Sequence, residues 1–339
     1  MNDRYSSAGP SPDPFTGGRF QILSLDGGGA KALFTAHVLA RFEEDHGTRV
    51  VDHFDLIAGT SAGGIVALGL GAGLSPAQIA ENYLDLIGRV FPRRKQRKLR
   101  PSRITGPAYS GEALRDALST VLGDRVLGQS TKRLVVPSWN VQSGEVHIFK
   151  TPHSPRLTRD WRVKMVDVAL ATSAAPTYFP AAVVDSARLV DGGVFANNPS
   201  VLAIAEATSM LGVPLDAIRV LNIGTMDPFT DHADRLDTAG VAGWSTAAVP
   251  LILTASTASN VGLAKHLIGF DNFVRMNATV PPGAFALDRI DPVKVAGYAA
   301  TVSRNLSPEY VNKFTNHVSA PYEPPPGRGG HISTAEEQH

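Results

Sequence analysis

Apolar residues occur along this chain in two rhythms: short unbroken runs, and longer stretches in which they return every three or four positions. The run 20–25 (Phe-Gln-Ile-Leu-Ser-Leu) predicts a buried strand, and the stretch 31–45 predicts a helix after an intervening glycine turn. The alternation then repeats, with a strand over 54–58, helices over 62–71, 76–90 and 111–122, and strands over 134–140 and 145–150. A helix over 163–172, a strand over 188–190, a helix over 199–211 and a strand over 218–223 follow. Such an order predicts an α/β sandwich built on parallel strands. Beyond it, 239–268 reads as a helical stretch interrupted at Pro250, 273–277 as a strand, and 292–306 and 308–318 as two helices separated at Pro308.

Residues 1–17 are polar and rich in Ser, Pro, Gly and Asp, without the apolar centre of a signal peptide, and read as a disordered leader. Residues 320–339 read as a disordered tail, which leaves 18–319 as a single domain with no internal repeat. Of the 339 residues, 43% are hydrophobic, enough for a sizeable core. Lys and Arg (32) balance Asp and Glu (31), so the net charge of +1 argues against a DNA or RNA polymer as partner. There is no cysteine, which removes disulfides, thiolate metal sites and a cysteine nucleophile and leaves serine chemistry open. The apolar stretches 56–72 and 249–258 are too short or too rich in small residues to span a bilayer, so contact with a membrane would be peripheral.

Three local features carry candidate chemistry. Asp26-Gly27-Gly28-Gly29-Ala30-Lys31 lies between a strand and a helix, where consecutive glycines bare backbone N–H groups to an anion. Its spacing fits neither a P-loop nor a dinucleotide fingerprint, which leaves an oxyanion hole as its use. Gly59-Thr60-Ser61-Ala62-Gly63 follows the second strand and opens a helix, the setting of a nucleophile elbow. Ser61 would attack an ester carbonyl there, with the N–H of Ala62 as a further oxyanion donor. Asp191-Gly192-Gly193 places a carboxylate at a strand end. Hydrolase chain order would put a triad histidine at His232, His266 or His317, none in a persuasive setting, so Asp191 accepting directly from Ser61 is the preferred base.

These features fall within four stretches that resemble the patatin-like phospholipase family: Leu25–Gly29, Gly59–Gly64, Ala171–Pro180 and Asp191–Pro199. The resemblance implies a patatin-like three-layer sandwich with a mostly parallel central sheet and helices on both faces. It implies Ser61 as nucleophile, Asp191 as base and Gly27, Gly28 and Gly29 as oxyanion donors, with no metal and no cofactor. The family often continues its glycine loop with a basic residue and a glycine, whereas here Lys31 is followed by Ala32; Lys31 would attract a lipid phosphate or support the loop. The length and the Leu33-Phe34-Thr35-Ala36 continuation further resemble a bacterial branch that cyclic nucleotides switch on during phage infection.

The implied protein is a cytoplasmic lipid acyl hydrolase, peripheral at the inner face of the cell membrane, with membrane phospholipids as substrate and a cyclic di- or trinucleotide as activator. The basic cluster Arg89, Arg93, Arg94, Lys95, Arg97, Lys98, Arg100 and Arg103 would meet anionic lipid or ligand, with Phe91 and Tyr109 for stacking, or form a solvated loop. The segment 244–268 would form a lid or pack as a core helix. Two other readings of the same residues remain: a constitutive Ser-His-Asp esterase acting on soluble esters, and a non-enzymatic module that holds a phosphorylated ligand.

Overall fold

The structure, a computed structural model, describes residues 15, 17–91, 106–228 and 240–329. The leader up to residue 14, the residues Arg93 to Arg103 of the basic cluster, His232 and the tail from residue 330 lie outside the described residues.

Four parallel pairings build the body of the sheet. β1 (Phe20–Leu25) is central, with β2 (Leu56–Gly59) on one side and β7 (Ile218–Ile223) on the other. β3 (Arg133–Asn140) extends the sheet beyond β2, and β9 (Phe273–Met276) beyond β7. Past β3 the direction reverses, because β4 (Glu145–Lys150), β6 (Ala187–Asp191) and β5 (Ala182–Val184) join through antiparallel pairs. A separate two-residue pair joins β8 (Asp227–Pro228) and β10 (Thr279–Val280).

Helices cover both faces, and the strands show why. Every residue of β1 is buried, as a strand sandwiched between two helical layers must be. Leu23 and Leu25 face the core formed with α1 (Leu33–His46), α2 (Ala62–Gly71), α3 (Pro76–Val90), α4 (Gly111–Leu122), α5 (Met165–Ser173) and α9 (Pro292–Phe314). Phe20 and Ile22 face the opposite core, closed by α7 (Ser200–Leu211) and α8 (Val241–Ile268). A short α6 (Gly193–Ala196) follows β6. Local chemistry sets several helix starts: Ser75 and Gln78 form a reciprocal capping box ahead of Pro76, and Ser110 and Asp291 cap α4 and α9 with their side chains.

Two expected interruptions are absent. Pro250 lies within the continuous α8 and Pro308 within the continuous α9. A proline removes one donor, and the carbonyl that Pro308 leaves unpaired belongs to the exposed Arg304, where solvent can satisfy it. The expected tail also begins later than residue 320. Arg133 sits over the Tyr322 ring at 5.3 Å, and Arg328 Nη1 donates to the carbonyls of Pro155 (3.2 Å) and Leu157 (3.0 Å), so residues up to 329 are bound to the body.

Candidate active site

Sheet register brings the site together. Residue 135 of β3 pairs with both β2 and β4, and residues 138–140 pair with both β4 and β6. A strand has only two edges, so β2 and β6 lie end to end on the same edge of β3. β2 finishes at Gly59, two residues before Ser61, while β6 arrives from the opposite direction and finishes at Asp191, paired with Ser138. Two side chains 130 positions apart therefore meet: Ser61 Oγ donates to Asp191 Oδ2 at 2.6 Å.

The elbow is strained and held. Ser61 has φ 54° and ψ −124°, a conformation that costs a non-glycine residue roughly 1–3 kcal/mol. Its N–H donates to Thr172 Oγ1 (3.0 Å), and that hydroxyl donates to the Pro137 carbonyl (2.6 Å). The tight turn also needs bare backbone: a Cβ on Gly59 would meet the Gly63 carbonyl oxygen at 2.3 Å, and one on Gly63 the Leu25 oxygen at 2.4 Å. Thr172 belongs to a motif visible in the sequence, yet its role as the clamp on Ser61 depends on packing alone.

Asp191 is buried, and its second oxygen, Oδ1, accepts from the Gly193 N–H at 2.7 Å. Burial pushes the carboxyl up to about 6, against the pull of the hydrogen bonds from Ser61 and Gly193. The result is a carboxylate that is ionised at neutral pH yet more basic than an exposed aspartate, which suits a general base.

The glycine loop follows β1 and packs beside the elbow, because Leu25 of β1 pairs with Gly59 of β2. Asp26 anchors it. Its Oδ1 accepts from Asn198 Nδ2 (2.7 Å) and Asn222 Nδ2 (2.8 Å), and its Oδ2 is ion-paired with Arg275 Nη1 (2.6 Å). Burial raises the Asp26 carboxyl, and Arg275 opposes that rise. Arg275 also bonds Asn222 Oδ1 and Asp227. Sequence reasoning missed Arg275 and Asn222, which nothing local marks; Asn198 stands inside the Asp191–Pro199 stretch, but its bond to Asp26 was not legible there.

The loop's three glycines do not share one role. Gly27 N–H is already bonded to the Asn197 carbonyl (2.9 Å), so it is not a free oxyanion donor; a Cβ there would lie 2.3 Å from Asn197 Oδ1. Gly28, Gly29 and Ala62 sit at helix starts, where backbone N–H groups lack an intrahelical acceptor, and all three line the cavity. Lys31 lies outside the cavity lining. Its Nζ points to the Met226 carbonyl at 3.5 Å, and burial lowers its basicity.

Ser61 and Asp191 open into a cavity of about 300 Å³ with a largely apolar wall that includes Ile65, Leu86, Phe91, Leu114, Phe179 and Leu253. Its size lies at the lower end of ligand pockets, roughly 300–1,000 Å³. Phe91 and Tyr109 pack edge to face at 4.9 Å, with Phe91 on the cavity wall and Arg89 ion-paired to Asp85 at 2.8 Å.

The described histidines offered as triad members are elsewhere. His317 Nε2 bonds Asp55 Oδ2 at 2.7 Å, at the end of β2 opposite Ser61, roughly 20 Å away for six residues of extended chain. His266 is exposed and packs on Phe270 with ring centroids 5.4 Å apart.

A strained serine at the end of a parallel strand, bonded to a buried carboxylate beneath a glycine loop and facing an apolar cavity, is the equipment of a serine-dependent acyl hydrolase. The chain belongs to the patatin-like phospholipase family, whose model matches residues 23–204. It is 34% identical over 317 residues to a protein of Vibrio cholerae named cGAMP-activated phospholipase, covering 84% of this chain and 88% of that protein. A Pseudomonas aeruginosa protein of the same name is 34% identical over 281 residues, 80% of this chain and 83% of that one. Among solved structures, VipD from Legionella pneumophila aligns over 90% of this chain and 72% of its own, with a TM-score of 0.46 and 12% identity. Among the described residues no helix is long and apolar enough to cross a membrane.

Proposed function

We propose that this chain hydrolyses fatty-acyl esters of membrane glycerophospholipids with Ser61 as nucleophile and Asp191 as base, and that cGAMP or a related cyclic nucleotide switches it on as an effector of phage defence. The observation that carries the chemistry is the 2.6 Å bond from Ser61 Oγ to Asp191 Oδ2 at the wall of an apolar cavity. In the reading we favour, Ser61 Oγ attacks the ester carbon as its proton passes to Asp191 Oδ2. The negative oxygen so formed is met by the N–H groups of Gly28, Gly29 and Ala62. Collapse of the tetrahedral intermediate breaks the bond to the leaving alkoxide, which takes the proton from Asp191. Water then gives a proton to Asp191 and attacks the acyl-Ser61 ester, and a second collapse releases the fatty acid and returns the proton to Ser61.

The names of the Vibrio and Pseudomonas relatives support nucleotide activation. Substrate at a bilayer places the working enzyme peripherally at the inner face of the membrane. The test is fatty-acid release from mixed phospholipids by the purified chain, with and without cGAMP, in wild type, Ser61→Ala and Asp191→Asn. Release that requires cGAMP and both side chains is expected. Release without nucleotide would remove the switch, and release by Ser61→Ala would remove the mechanism.

A further inference from the structure

Helix α8 meets the protein partly through polar side chains. Three of them face inward: Ser256 Oγ donates to the Phe195 carbonyl (2.9 Å), Thr257 Oγ1 accepts from Asn197 Nδ2 (2.8 Å) and Asn260 Nδ2 donates to the Asn198 carbonyl (2.9 Å). Several large apolar side chains face outward. Trp244, Ile252, Leu263 and Leu267 of the helix and Phe270 just after it are between 41% and 63% exposed. At 100° per residue, Trp244, Ile252, Leu263 and Leu267 fall within about 140° of arc, so they form a broken stripe, interspersed with the exposed Ser259 and His266, along a helix roughly 42 Å long. Water does not favour such a stripe, and exposed apolar surface of this extent marks a contact with something else.

Two observations identify what covers it. The stripe is continuous with the substrate cavity, because Ile252 is both exposed and part of the cavity wall, next to Val249 and Leu253. Whatever lies on the stripe therefore lies at the cavity's edge. The helix also holds no Asp or Glu among its 28 residues, and Lys265 and His266 are its only titratable side chains. A tryptophan at one end, aliphatic side chains between and a cationic end fit a helix that lies in the headgroup region of an anionic bilayer.

We propose that the outer face of α8 docks the protein on an anionic phospholipid membrane and delivers an acyl chain past Ile252 into the cavity beside Ser61. The inference rests on the hydrolase reading above, and its test separates the two. The full chain carrying Ser61→Ala, which leaves vesicles intact, is sedimented with phosphatidylglycerol-rich or pure phosphatidylcholine vesicles, with and without cGAMP. Leu263 and Leu267 do not line the cavity, so L263D/L267D should pellet at least about tenfold more weakly with the anionic vesicles, while in the Ser61 background it hydrolyses a monomeric short-chain ester at the wild-type rate. Trp244 emission should shift to the blue on anionic vesicles, a change lost in Trp244→Phe.

Three results would overturn the proposal. They are pelleting unchanged in L263D/L267D, no pelleting of the parent chain in any condition, and a loss of self-association in L263D/L267D with vesicle binding intact, which would assign the stripe to a second copy. Should L263D/L267D also lose ester hydrolysis, Leu263→Trp decides: tighter pelleting supports the proposal and unchanged pelleting overturns it. Failure of the wild-type chain to cleave the soluble ester, with pelleting as expected, counts against the hydrolase reading alone.

Discussion

The burial that suits Asp191 to the proposed role of base works against stability. The Asp191 value of about 6 in the folded chain lies above the 3.8 of an unperturbed aspartate. Between those two pH values the folded chain keeps a proton that the unfolded chain has released, so the stability tied to this group is full below about pH 4 and is lost as pH rises to 6. The loss is on the order of 3 kcal/mol above pH 6. Asp191→Asn removes the charge and keeps an acceptor for Gly193, so it should raise the unfolding free energy by roughly 1–3 kcal/mol at pH 8 and by less at pH 5, measured by urea denaturation. The same variant should lose on the order of 10²–10⁴ in kcat. For the wild type, the proposed mechanism predicts that kcat/KM climbs about tenfold per pH unit below 6 and levels off above it, because in it only ionised Asp191 takes the Ser61 proton.

Among elements, the closest approaches are where single atoms matter. Gly63, in the first turn of α2, has the Leu25 carbonyl where a side chain would go, 2.4 Å from a built Cβ. Backbone cannot swing aside as a side chain can, so Gly63→Ala should cost about 2 kcal/mol or more and tilt Ser61 out of reach of Asp191, seen as a lowered urea midpoint together with lost activity. Arg275 on β9 is a second such point. Arg275→Leu leaves Asp26 buried without its cation, and a loss of about 3–5 kcal/mol is expected, with the glycine loop released and soluble-ester turnover lowered.

The two cases differ in how readable they were. Gly59, Ser61 and Gly63 stand together between an apolar run and a helix, and Asp191 stands at a strand end before two glycines, so local pattern reveals both halves of the site. Arg275 lies 249 positions from Asp26, in a strand with no sequence signature, and only the sheet order places it there. The glycine loop was readable as a loop but not donor by donor, since the Asn197 carbonyl decides that Gly27 is engaged. Pro250 and Pro308 misled for a related reason: a proline's effect on a helix depends on what surrounds the carbonyl it leaves unpaired.

At the level of the whole molecule, the chain's end closes the side of the sheet opposite the site. After α9 it runs past the N-terminal ends of the strands, where the Ser319 N–H donates to the Asp52 carbonyl (2.7 Å) and Lys132 Nζ donates to Ser319 Oγ (2.8 Å). Tyr322 then lies under Arg133, and Arg328 ties down the 155–157 loop while its carbonyl occupies the space beside Gly128, where a Cβ would meet it at 2.1 Å. Each net hydrogen bond is worth about 1 kcal/mol and an exposed cation–π contact about 0.5–1 kcal/mol. Truncation after Val318 should therefore lower stability by roughly 4–5 kcal/mol, read as a fall in the urea midpoint. Ser61 and Asp191 lie at the other ends of the strands and are untouched by these contacts, so at 25 °C the truncated chain should retain turnover of a soluble short-chain ester. Equal loss of turnover and stability would mean that the two ends of the sheet are coupled through the strands, and the segment beyond residue 318 would then belong to the catalytic apparatus rather than to the scaffold.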